Sequence, residues 1–394
     1  MENIRSILRR TWAEINIDNI KHNYNVVQNA IGDKTKLCCV IKANAYGHGA
    51  VELAKLYQAW GADYLSVSNI EEAIQLRNAN ISIPILVMGY TPPECAKDLS
   101  NFNISQCVYS LEYAEALNYW AIKSNVSVTV HIKIDTGMGR IGLVCRSKNC
   151  SEIKSAIEIC LMSNLITEGI FTHFSVADEE DISEPGNYTM LQYESFVYAI
   201  DYLKKSGFDF KIKHCANSAA IFVDSKFHLD MVRAGIVLYG LAPSQKRNIV
   251  GLKPAMSLKT TIAQIKNISI GESIGYGRMF VADRAMKVAT LTIGYADGLS
   301  RSSSRYNVLV GNSLAPIVGR ICMDQLMVDV TNIECKLGDI VTVFSDFELV
   351  SADILAKHIG TINYEVVSNV GERVPRIYLQ NNKIVGIRDL ICNI

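Results

Sequence analysis

The sequence contains no run of apolar residues long enough to cross a membrane. A spanning helix needs about 18 or more such residues, and no stretch of the 394-residue chain approaches that length. The first residues, MENIRSILRRTWAEINI, also lack the apolar core of a secretory signal peptide. We therefore expect a cytoplasmic protein with no membrane partner.

The chain also lacks a net charge, because 39 lysines and arginines balance 39 aspartates and glutamates. A general binder of nucleic acid or of an anionic membrane needs a basic surface, so we expect no nucleic-acid partner. With 49% hydrophobic residues and only 8 prolines, the composition is neither collagen-like nor disordered. The chain should therefore fold around a sizeable core.

Paired cysteine motifs of the zinc-binding kind are missing as well. The eleven cysteines are scattered, and Cys38 and Cys39 are adjacent. In a large chain without an export signal, such cysteines are most simply buried or idle thiols in a reducing compartment. We therefore expect no metal site.

Between Thr11 and Gly240, short apolar runs alternate with longer segments of helical periodicity. The runs are rich in β-branched residues and bounded by polar residues or glycine, as strands are. The eight predicted strands are Leu37–Lys42, Tyr64–Val67, Ile85–Met88, Ile104–Tyr109, Val126–Ile134, Ile166–Phe171, Phe210–Lys213 and Met231–Tyr239. The predicted helices between them are Val51–Trp60, Ile70–Asn78, Leu111–Lys123, Ser151–Ser163 and Met190–Ser206.

This alternation predicts an α/β fold, and its length is that of a (β/α)8 TIM-type barrel. An open doubly wound sheet is the alternative, which the lack of G-x-G-x-x-G after the first strand disfavours. Farther along, alternating apolar runs separated by glycine-containing turns predict a mostly β C-terminal domain. We assign residues 11–245 to the barrel and 246–394 to the second domain, with segment 1–10 joined to the latter.

Lys42 ends the first predicted strand, in the segment VIKANAYGHG. Active sites of such barrels lie at the C-terminal ends of the strands, so we expect Lys42 in the barrel mouth or interior. Burial disfavours an ammonium group and lowers its pKa, which is what an amine nucleophile requires. The alternative is a lysine whose stem reaches to the surface, as most lysines do.

Polar side chains follow the other predicted strands at the same end. Taken singly, His173 could be a satisfied core histidine and Arg233 could be half of a buried ion pair. Together, such groups at the tips of five strands favour an anionic ligand with phosphate and carboxylate groups. The residues at these tips are Lys42, Lys133, Asp135, Arg140, His173, Asn217, Ser218, Arg233, Gly235 and Ile236.

The wording of these segments resembles that of bacterial alanine racemases. CVIKANAYGHG around Lys42 is similar to the motif that carries the pyridoxal-phosphate lysine of that family. The resemblance runs over essentially the whole chain, and the order and spacing of its segments are specific. The other segments are DTGMGRIG (135–142), FTHFS (171–175), CANSA (215–219), MVRAGIVLYG (231–240), IGYG (274–277), TIGYADG (292–298), APIVGRICMDQ (315–325) and TINYEV (361–366).

The resemblance implies pyridoxal 5'-phosphate (PLP) as cofactor, held by Lys42 as a Schiff base. It implies that Arg233 faces the pyridine nitrogen, with His173 hydrogen-bonded to it, and that Arg140 lies near the ring hydroxyl and the substrate carboxylate. Residues that match those holding the cofactor phosphate are Tyr46, Ser218, Gly235, Ile236 and Tyr364. Residues expected to support the site are Lys133, which matches a lysine carbamylated in several members, Tyr295, Cys322 and Asp324.

The resemblance also implies a head-to-tail homodimer in which each site is completed across the interface. Racemisation takes a proton from one face of the substrate and returns a proton to the other, which one base cannot easily do. Lys42 matches one base and Tyr276 of the partner subunit the other, while Met323 of the partner subunit lends a backbone amide to the substrate carboxylate. The implied reaction interconverts L-alanine and D-alanine and supplies D-alanine for peptidoglycan.

Two other functions stay open. The first is racemisation of another amino acid such as serine or a basic one, although the bulky Tyr364 and Tyr295 favour alanine. A hydrophobic pocket distinguishes one methylene by only about 1–3 kcal/mol. The second is a non-catalytic PLP-binding carrier, which the second domain with Tyr276 argues against. For Lys133, the alternative is an ordinary solvated lysine.

Overall fold

The computed structural model describes residues 10–146, 150, 152–179, 181–184, 186–244, 249 and 251–389. The strands in this part of the chain are β1 Thr11–Asn16, β2 Lys36–Val40, β3 Tyr64–Val67, β4 Ile85–Val87, β5 Ile104–Val108, β6 Val128–Asp135, β7 Leu143–Val144, β8 Leu165–Phe171, β9 Ile212–His214, β10 Met231–Ala234, β11 Met256–Ile268, β12 Ser273–Ile274, β13 Phe280–Val281, β14 Met286–Leu291, β15 Asn307–Val310, β16 Ser313–Val318, β17 Leu326–Asp329, β18 Ile340–Phe344, β19 Arg376–Gln380 and β20 Lys383–Arg388.

The helices fall mainly between the strands of the first half of the chain. They are Ile17–Ile31, Lys42–Tyr46, Ala50–Ala59, Ile70–Asn78, Ala96–Asn101, Leu111–Lys123, Ile153–Cys160, Tyr188–Lys205, Ala352–Ile359 and Asn363–Ser368. Among the described helices, none is both long and apolar enough to cross a membrane.

Eight parallel strands form the first sheet, in the order β10-β2-β3-β4-β5-β6-β8-β9. The two ends of this order meet, because the amide of Asp230 before β10 donates to the carbonyl of Lys213 in β9 at 3.0 Å. The sheet is therefore a nearly closed barrel, and each of the eight strands predicted from the sequence is present. The predicted α/β fold with a TIM-type barrel is confirmed.

Two barrel helices begin and end where the sequence predicted, because local capping signals set their starts. The side chain of Asn69 accepts from the amide of Glu72 before Ile70–Asn78. The side chain of Ser110 accepts from the amide of Tyr113 before Leu111–Lys123 in the same way. Each cap satisfies an amide that has no partner inside its helix.

The second sheet has nine strands, in the order β14-β17-β16-β15-β18-β11-β1-β19-β20, and β14 also pairs with β11. Its pairs are antiparallel except for β1 with β19. The mostly β C-terminal domain is thus confirmed. A separate hairpin of β12 and β13 projects from it and carries Tyr276 in its turn.

The start of the chain differs from the prediction. Strand β1 lies within the range assigned to the barrel, but it pairs with β11 and β19 of the second sheet. The long helix Ile17–Ile31 and the short helix Ala96–Asn101 were not predicted. Six residues of alternating pattern carry no mark of the sheet that they join, so only distant partners decide it. Of the predicted segment 1–10, only Arg10 is described. The predicted domain boundary at 245–246 also lies outside the described residues.

The expectation that all cysteines are free thiols is wrong for one pair. Cys145 and Cys150 form a disulfide in the loop that follows β7. The two positions are five apart in the chain, which is not a C-x-x-C spacing. Their pairing was therefore not apparent from the sequence. The other described cysteines are free.

Candidate active site

Lys42 lies two residues after the end of β2, at the C-terminal end of the barrel strands. It is followed by a turn with left-handed backbone conformation. The four residues after it, Ala43 to Tyr46, have φ between 51° and 54°, which is the left-handed region that residues with a Cβ disfavour by roughly 1–2 kcal/mol each. The predicted strand ran to Lys42, but the observed strand ends at Val40. The strand therefore ends before Lys42, and the turn begins directly after it.

Surrounding groups hold this strained turn in place. The carboxylate of Glu72 accepts from the amides of Ala43 at 2.6 Å and Ser68 at 2.8 Å. The side chain of Asn44 accepts from the amide of Ala50 at 2.9 Å, and Arg376 of β19 donates to the carbonyl of Gly47 at 2.9 Å. Strain of this kind persists only where neighbours impose it and is frequent at functional sites.

Four cationic side chains converge around His173, which follows β8. Burial and the charges of Arg233, Arg140, Lys133 and Lys42 hold the pKa of His173 well below its ordinary value, so its imidazole is neutral. Burial, together with Arg140, also lowers the pKa of Lys42. A concentration of positive charge at a barrel mouth attracts an anionic ligand, as the sequence predicted.

Lys133 is 3% exposed and its Nζ lies 5.6 Å from the centre of the Phe171 ring. Burial lowers its pKa to about 8, and the nearby charges of Arg140 and Arg233 contribute to that shift. Arg140 itself is exposed at the mouth. The charge of Arg140 thus reaches Lys133, which is buried and is not an ordinary solvated lysine.

Arg233, on β10, forms several hydrogen bonds through its guanidinium group. Its Nη1 lies 2.8 Å from Nδ1 of His214, and its Nη2 donates to the carbonyl of Thr172 at 2.8 Å and lies 3.3 Å from Nδ1 of His173. A guanidinium can only donate, so both imidazole nitrogens must accept. Arg233 is therefore a hydrogen-bond donor held inside the barrel, and among the described residues it forms no ion pair.

Gly235 forms a cradle after β10 with Ser218 and Tyr46. The amide of Gly235 donates to Oγ of Ser218 at 2.8 Å. A Cβ on Gly235 would lie 2.8 Å from the hydroxyl of Tyr46 and 3.5 Å from Oγ of Ser218. Ile236 then opens a single 3-10 turn to Tyr239 whose first amides point away from the turn. Hydroxyls and amides around a space without a side chain suit a phosphate group.

Tyr364 closes one side of this cradle from the second half of the chain. It lies on the helix Asn363–Ser368, and its ring centre is 6.0 Å from that of Tyr46. The neighbouring Asn363 fixes the helix to the barrel, because its Nδ2 donates to the carbonyl of Ala242 at 3.0 Å. Tyr364 and the cradle are therefore parts of one site.

The remaining predicted residues lie together on a face of the second sheet. Tyr276 is 68% exposed and lines a groove of about 780 Å³ with Cys322. Met323 and Tyr295 are 53% and 43% exposed, and the amide of Tyr295 donates to the carbonyl of Cys322 at 3.1 Å. These four residues and Asp324 form a second cluster, which we call the Tyr276 face.

Two charged residues that the sequence analysis did not single out, Arg373 and Asp297, stabilise the Tyr276 face through hydrogen bonds. Arg373 donates to the carboxylate of Asp324 at 2.6 Å and to that of Asp297 at 2.9 Å. Asp297 is fully buried and also accepts from Arg10 at 2.7 Å and from the amide of Gly294 at 2.9 Å. Asp297 lies inside the segment TIGYADG, which the sequence analysis had singled out. Its contacts with Arg10 and Arg373 became apparent only from the fold.

The chain matches two family models along most of its length. The model described as "Alanine racemase, N-terminal domain" matches residues 15–243, and "Alanine racemase, C-terminal domain" matches residues 255–378. The alanine racemase of Clostridium tetani is 42% identical over 391 residues, which is 98% of this chain and 99% of that protein. Alanine racemase 1 of Clostridium acetobutylicum is 40% identical, with 98% and 99% covered.

Solved structures give the same answer. The alanine racemase of Clostridium difficile 630 superposes with a TM-score of 0.90 at 42% identity, covering 96% of this chain and 98% of that one. The Bacillus anthracis alanine racemase with bound L-Ala-P superposes with a TM-score of 0.92 at 36% identity, covering 98% and 99%. With the barrel, the second sheet and these matches over the full length, the chain belongs to the alanine racemase family of isomerases.

Proposed function

We propose that this protein interconverts L-alanine and D-alanine with PLP bound at the barrel mouth. The observation that carries the proposal is the convergence of Lys42 with Arg140, His173 and Arg233 in a chain of this family. We further propose that it works in the cytoplasm and that its D-alanine supplies peptidoglycan. The domain division near residue 245 is part of the same proposal.

The residues at the mouth fit PLP. The cradle of Gly235, Ser218 and Tyr46 suits the phosphate, with Ile236 and Tyr364 beside it. The lowered pKa of Lys42 favours the free amine that attaches to the cofactor aldehyde. When bound, PLP supplies an electron sink that makes the Cα–H of an attached amino acid acidic.

The side chains at the mouth then have separate tasks. Lys42 holds the cofactor and moves a proton on one face of the substrate Cα. Arg140 binds the substrate carboxylate as a charge-assisted pair. Arg233 donates towards the pyridine nitrogen, and His173 accepts from Arg233 and limits its motion.

We assign the second base to Tyr276 of the partner subunit. A planar carbon needs proton donors on both of its faces, and Lys42 occupies one of them. The Tyr276 face exposes a phenol, a thioether and a groove on one side of the second domain. A head-to-tail homodimer would bring this face over the barrel mouth of the other subunit, with Met323 offering its amide and Tyr295, Cys322 and Asp324 supporting it.

The function itself is tested with purified protein and three amino acids. We expect D-alanine to form from L-alanine, and the reverse, with serine at least about tenfold slower and lysine slower still. The reason is that Tyr364 and Tyr295 crowd the space beyond the substrate Cβ, and each added group costs about 1–3 kcal/mol. Chiral chromatography of the products measures the three rates.

Different outcomes separate the alternatives. Equal rates for lysine and alanine would overturn the pocket assignment, and a preference for serine would identify a serine racemase. A yellow protein that racemises nothing would be a PLP carrier. Borohydride reduction tests the lysine linkage. We expect the yellow absorption band to disappear and a pyridoxyl group to remain on Lys42 in a peptide digest.

Arg233→Glu is expected to divert the reaction rather than abolish it. Arginine only donates and keeps its proton, so it disfavours protonation of the pyridine nitrogen. A glutamate there would accept a hydrogen bond from the ring nitrogen and favour its protonation, so that a larger share of protons would return to positions other than Cα. We expect more pyruvate per D-alanine formed, measured by coupled lactate dehydrogenase. Arg233→Lys, which stays cationic, should keep the wild-type ratio; equal ratios in all three proteins would refute the role.

Lys133→Ala is expected to lose most alanine turnover and to regain part of it in added formate or acetate. With a pKa of about 8, an appreciable fraction of Lys133 is free amine near neutral pH. That amine can bond to the carbon of CO2 and release one proton to water, and the resulting carbamate accepts hydrogen bonds from Arg140. Intact mass under CO2 measures the modification.

The matched control is Lys97→Ala, which removes an exposed lysine from a barrel helix. It should retain wild-type turnover and show no response to carboxylates. If Lys133→Ala also turned over alanine at the wild-type rate, Lys133 would not orient Arg140. The racemase proposal would then still rest on Lys42 and Tyr276.

A further inference from the structure

A row of buried polar side chains leads from Arg233 through the barrel interior, away from the mouth. Nη1 of Arg233 lies 2.8 Å from Nδ1 of His214, and Nε2 of His214 lies 3.0 Å from Nδ1 of His131. Nε2 of His131 lies 3.5 Å from a carboxylate oxygen of Glu168. Both histidines are fully buried, whereas the side chain of Glu168 is 24% exposed. The row thus connects the site to a carboxylate near solvent.

Glu168 faces the N-terminal ends of the barrel strands, opposite the mouth. The hydroxyl of Tyr64, the first residue of β3, donates to Glu168 at 2.6 Å. The charge of Lys211, which precedes β9, also reaches the carboxylate. The imidazole of His131 at 3.5 Å, the hydrogen bond from Tyr64 and the charge of Lys211 lower the pKa of Glu168, which is therefore an anion at neutral pH.

The bonds in this row can run in one direction only. The guanidinium of Arg233 has no acceptor, so Nδ1 of His214 must accept and its Nε2–H must donate to Nδ1 of His131. His131 is then left with its proton on Nε2, which lies 3.5 Å from the carboxylate of Glu168, at ion-pair distance but without a formed hydrogen bond. Burial lowers the pKa of both histidines, so each is neutral and has one donor and one acceptor nitrogen.

The backbone is shaped to make the last contact. Val130 of β6 pairs with Thr167 of β8, but His131 pairs with Gly169, so Glu168 is the extra residue of a β-bulge. A bulge re-aims a side chain that a regular strand would point elsewhere. A Cβ on Gly169 would overlap the ring of His131, so the glycine lets that ring lie against β8. Bulge and glycine together bring His131 to Glu168.

The row also accounts for the charge of Arg233. Its hydrogen-bond acceptors are the rings of His214 and His173 and the carbonyls of Thr172 and Cys215, all of them neutral. Phe171 covers the row from one side, since its ring stacks on His214 at 4.8 Å. A buried cation is costly unless an opposite charge is coupled to it. An anionic Glu168 at the far end of the row can offset part of that cost by polarising the two imidazoles.

We propose that Glu168 is a positioning residue for Arg233, acting through His131 and His214. The carboxylate fixes the proton of His131 on Nε2, His131 fixes that of His214, and His214 presents a lone pair that orients the guanidinium. The proposal rests on the proposed function only in the statement that Arg233 faces the cofactor ring. The hydrogen-bond row itself is independent of the cofactor.

Glu168→Gln tests the row, with Glu158→Gln as its matched control on an exposed helix position. A glutamine amide can donate to Nε2 of His131, whose proton then moves to Nδ1. Because Nε2 of His214 also carries a proton, the hydrogen bond between the two rings is lost in that tautomer and the row is broken at this point. In 15N-histidine-labelled protein, we expect the long-range imidazole spectrum of wild type and of Glu158→Gln to show both rings with the proton on Nε2. In Glu168→Gln, the His131 signals should shift towards the Nδ1-protonated pattern. We expect kcat for alanine to fall about tenfold with KM unchanged, because Arg140 still binds the carboxylate.

Two further variants keep the test decisive if Glu168→Gln folds poorly. His131→Phe replaces the imidazole between Glu168 and His214 with an apolar ring and should lower kcat as much as Glu168→Gln does. Tyr64→Phe keeps the carboxylate of Glu168 and should leave both histidine tautomers and the turnover near wild type. Unchanged histidine spectra in Glu168→Gln, or changed spectra with unchanged kcat, would overturn the proposal. A fall in kcat without any spectral change would also overturn it. A wild-type protein that shows the row but racemises nothing would instead refute the proposed function.

Discussion

Lys42→Ala is expected to fold and to lose alanine racemisation by at least about 10³-fold. One substitution removes both the group that attaches the cofactor and one of the two proton-transfer bases, and general acid–base catalysis alone contributes about 10²–10⁴-fold. The fold should survive because Lys42 lies after β2 and the turn that carries it is held by Glu72 and Asn44. A coupled D-alanine assay measures turnover, and thermal unfolding checks the fold.

Lys55→Ala is the matched control, because Lys55 is exposed on the helix Ala50–Ala59 close to the same turn. It should keep wild-type turnover and the yellow absorption of the bound cofactor. Added methylamine, which imitates the missing amine, should restore a small part of the activity of Lys42→Ala. Wild-type turnover by Lys42→Ala would remove the basis of the proposed mechanism.

Tyr276→Phe should lose at least about 10²-fold in turnover, because one face of the substrate Cα then has no proton donor or acceptor. Since Tyr276 is 68% exposed at the turn of the β12–β13 hairpin, its hydroxyl can be removed without disturbing a core. The matched control is Tyr119→Phe, at a tyrosine that is 59% exposed on an outer barrel helix. That variant should turn over alanine at the wild-type rate.

Mixing the two inactive variants tests whether Tyr276 acts across an interface. A dimer with one Lys42→Ala subunit and one Tyr276→Phe subunit has one site with both native bases. Random exchange makes half of the dimers mixed, so about one quarter of the wild-type activity should return. Complete absence of rescue, after mass spectrometry shows that subunits have exchanged, would mean that Tyr276 does not serve the partner's site.

Much of the barrel could be predicted because its signals are local. Runs such as Tyr64–Val67 are short and β-branched, and side chains such as Asn69 and Ser110 mark where helices begin. The helix Ile17–Ile31 was not predicted although it is amphipathic, and the strand TWAEIN before it lay in the range that was assigned to the barrel. That strand joins the second sheet through partners more than 200 residues away.

The residues of the candidate site could be proposed from the sequence, but their geometry could not. Position at the end of a strand was enough to place Lys42, His173 and Arg233 at one end of the barrel, and the resemblance supplied Tyr276. Neither the strand positions nor the resemblance could show that Ala43 to Tyr46 adopt a left-handed backbone conformation, because none of these residues is a glycine. Such strain is imposed by distant groups, including Arg376 of the second sheet.

The sequence by itself determined the strand–helix order, the mostly β second domain and the identity of the chemical groups, because periodicity, caps and motif wording are properties of neighbouring residues. Only the tertiary structure decided which groups meet. It turned Glu168 towards His131 by a one-residue bulge, paired Cys145 with Cys150, and brought Tyr276 and Cys322 to the same groove. Contacts of this kind depend on the pairing of segments far apart in the chain, where a shift of one residue reverses the direction of a side chain.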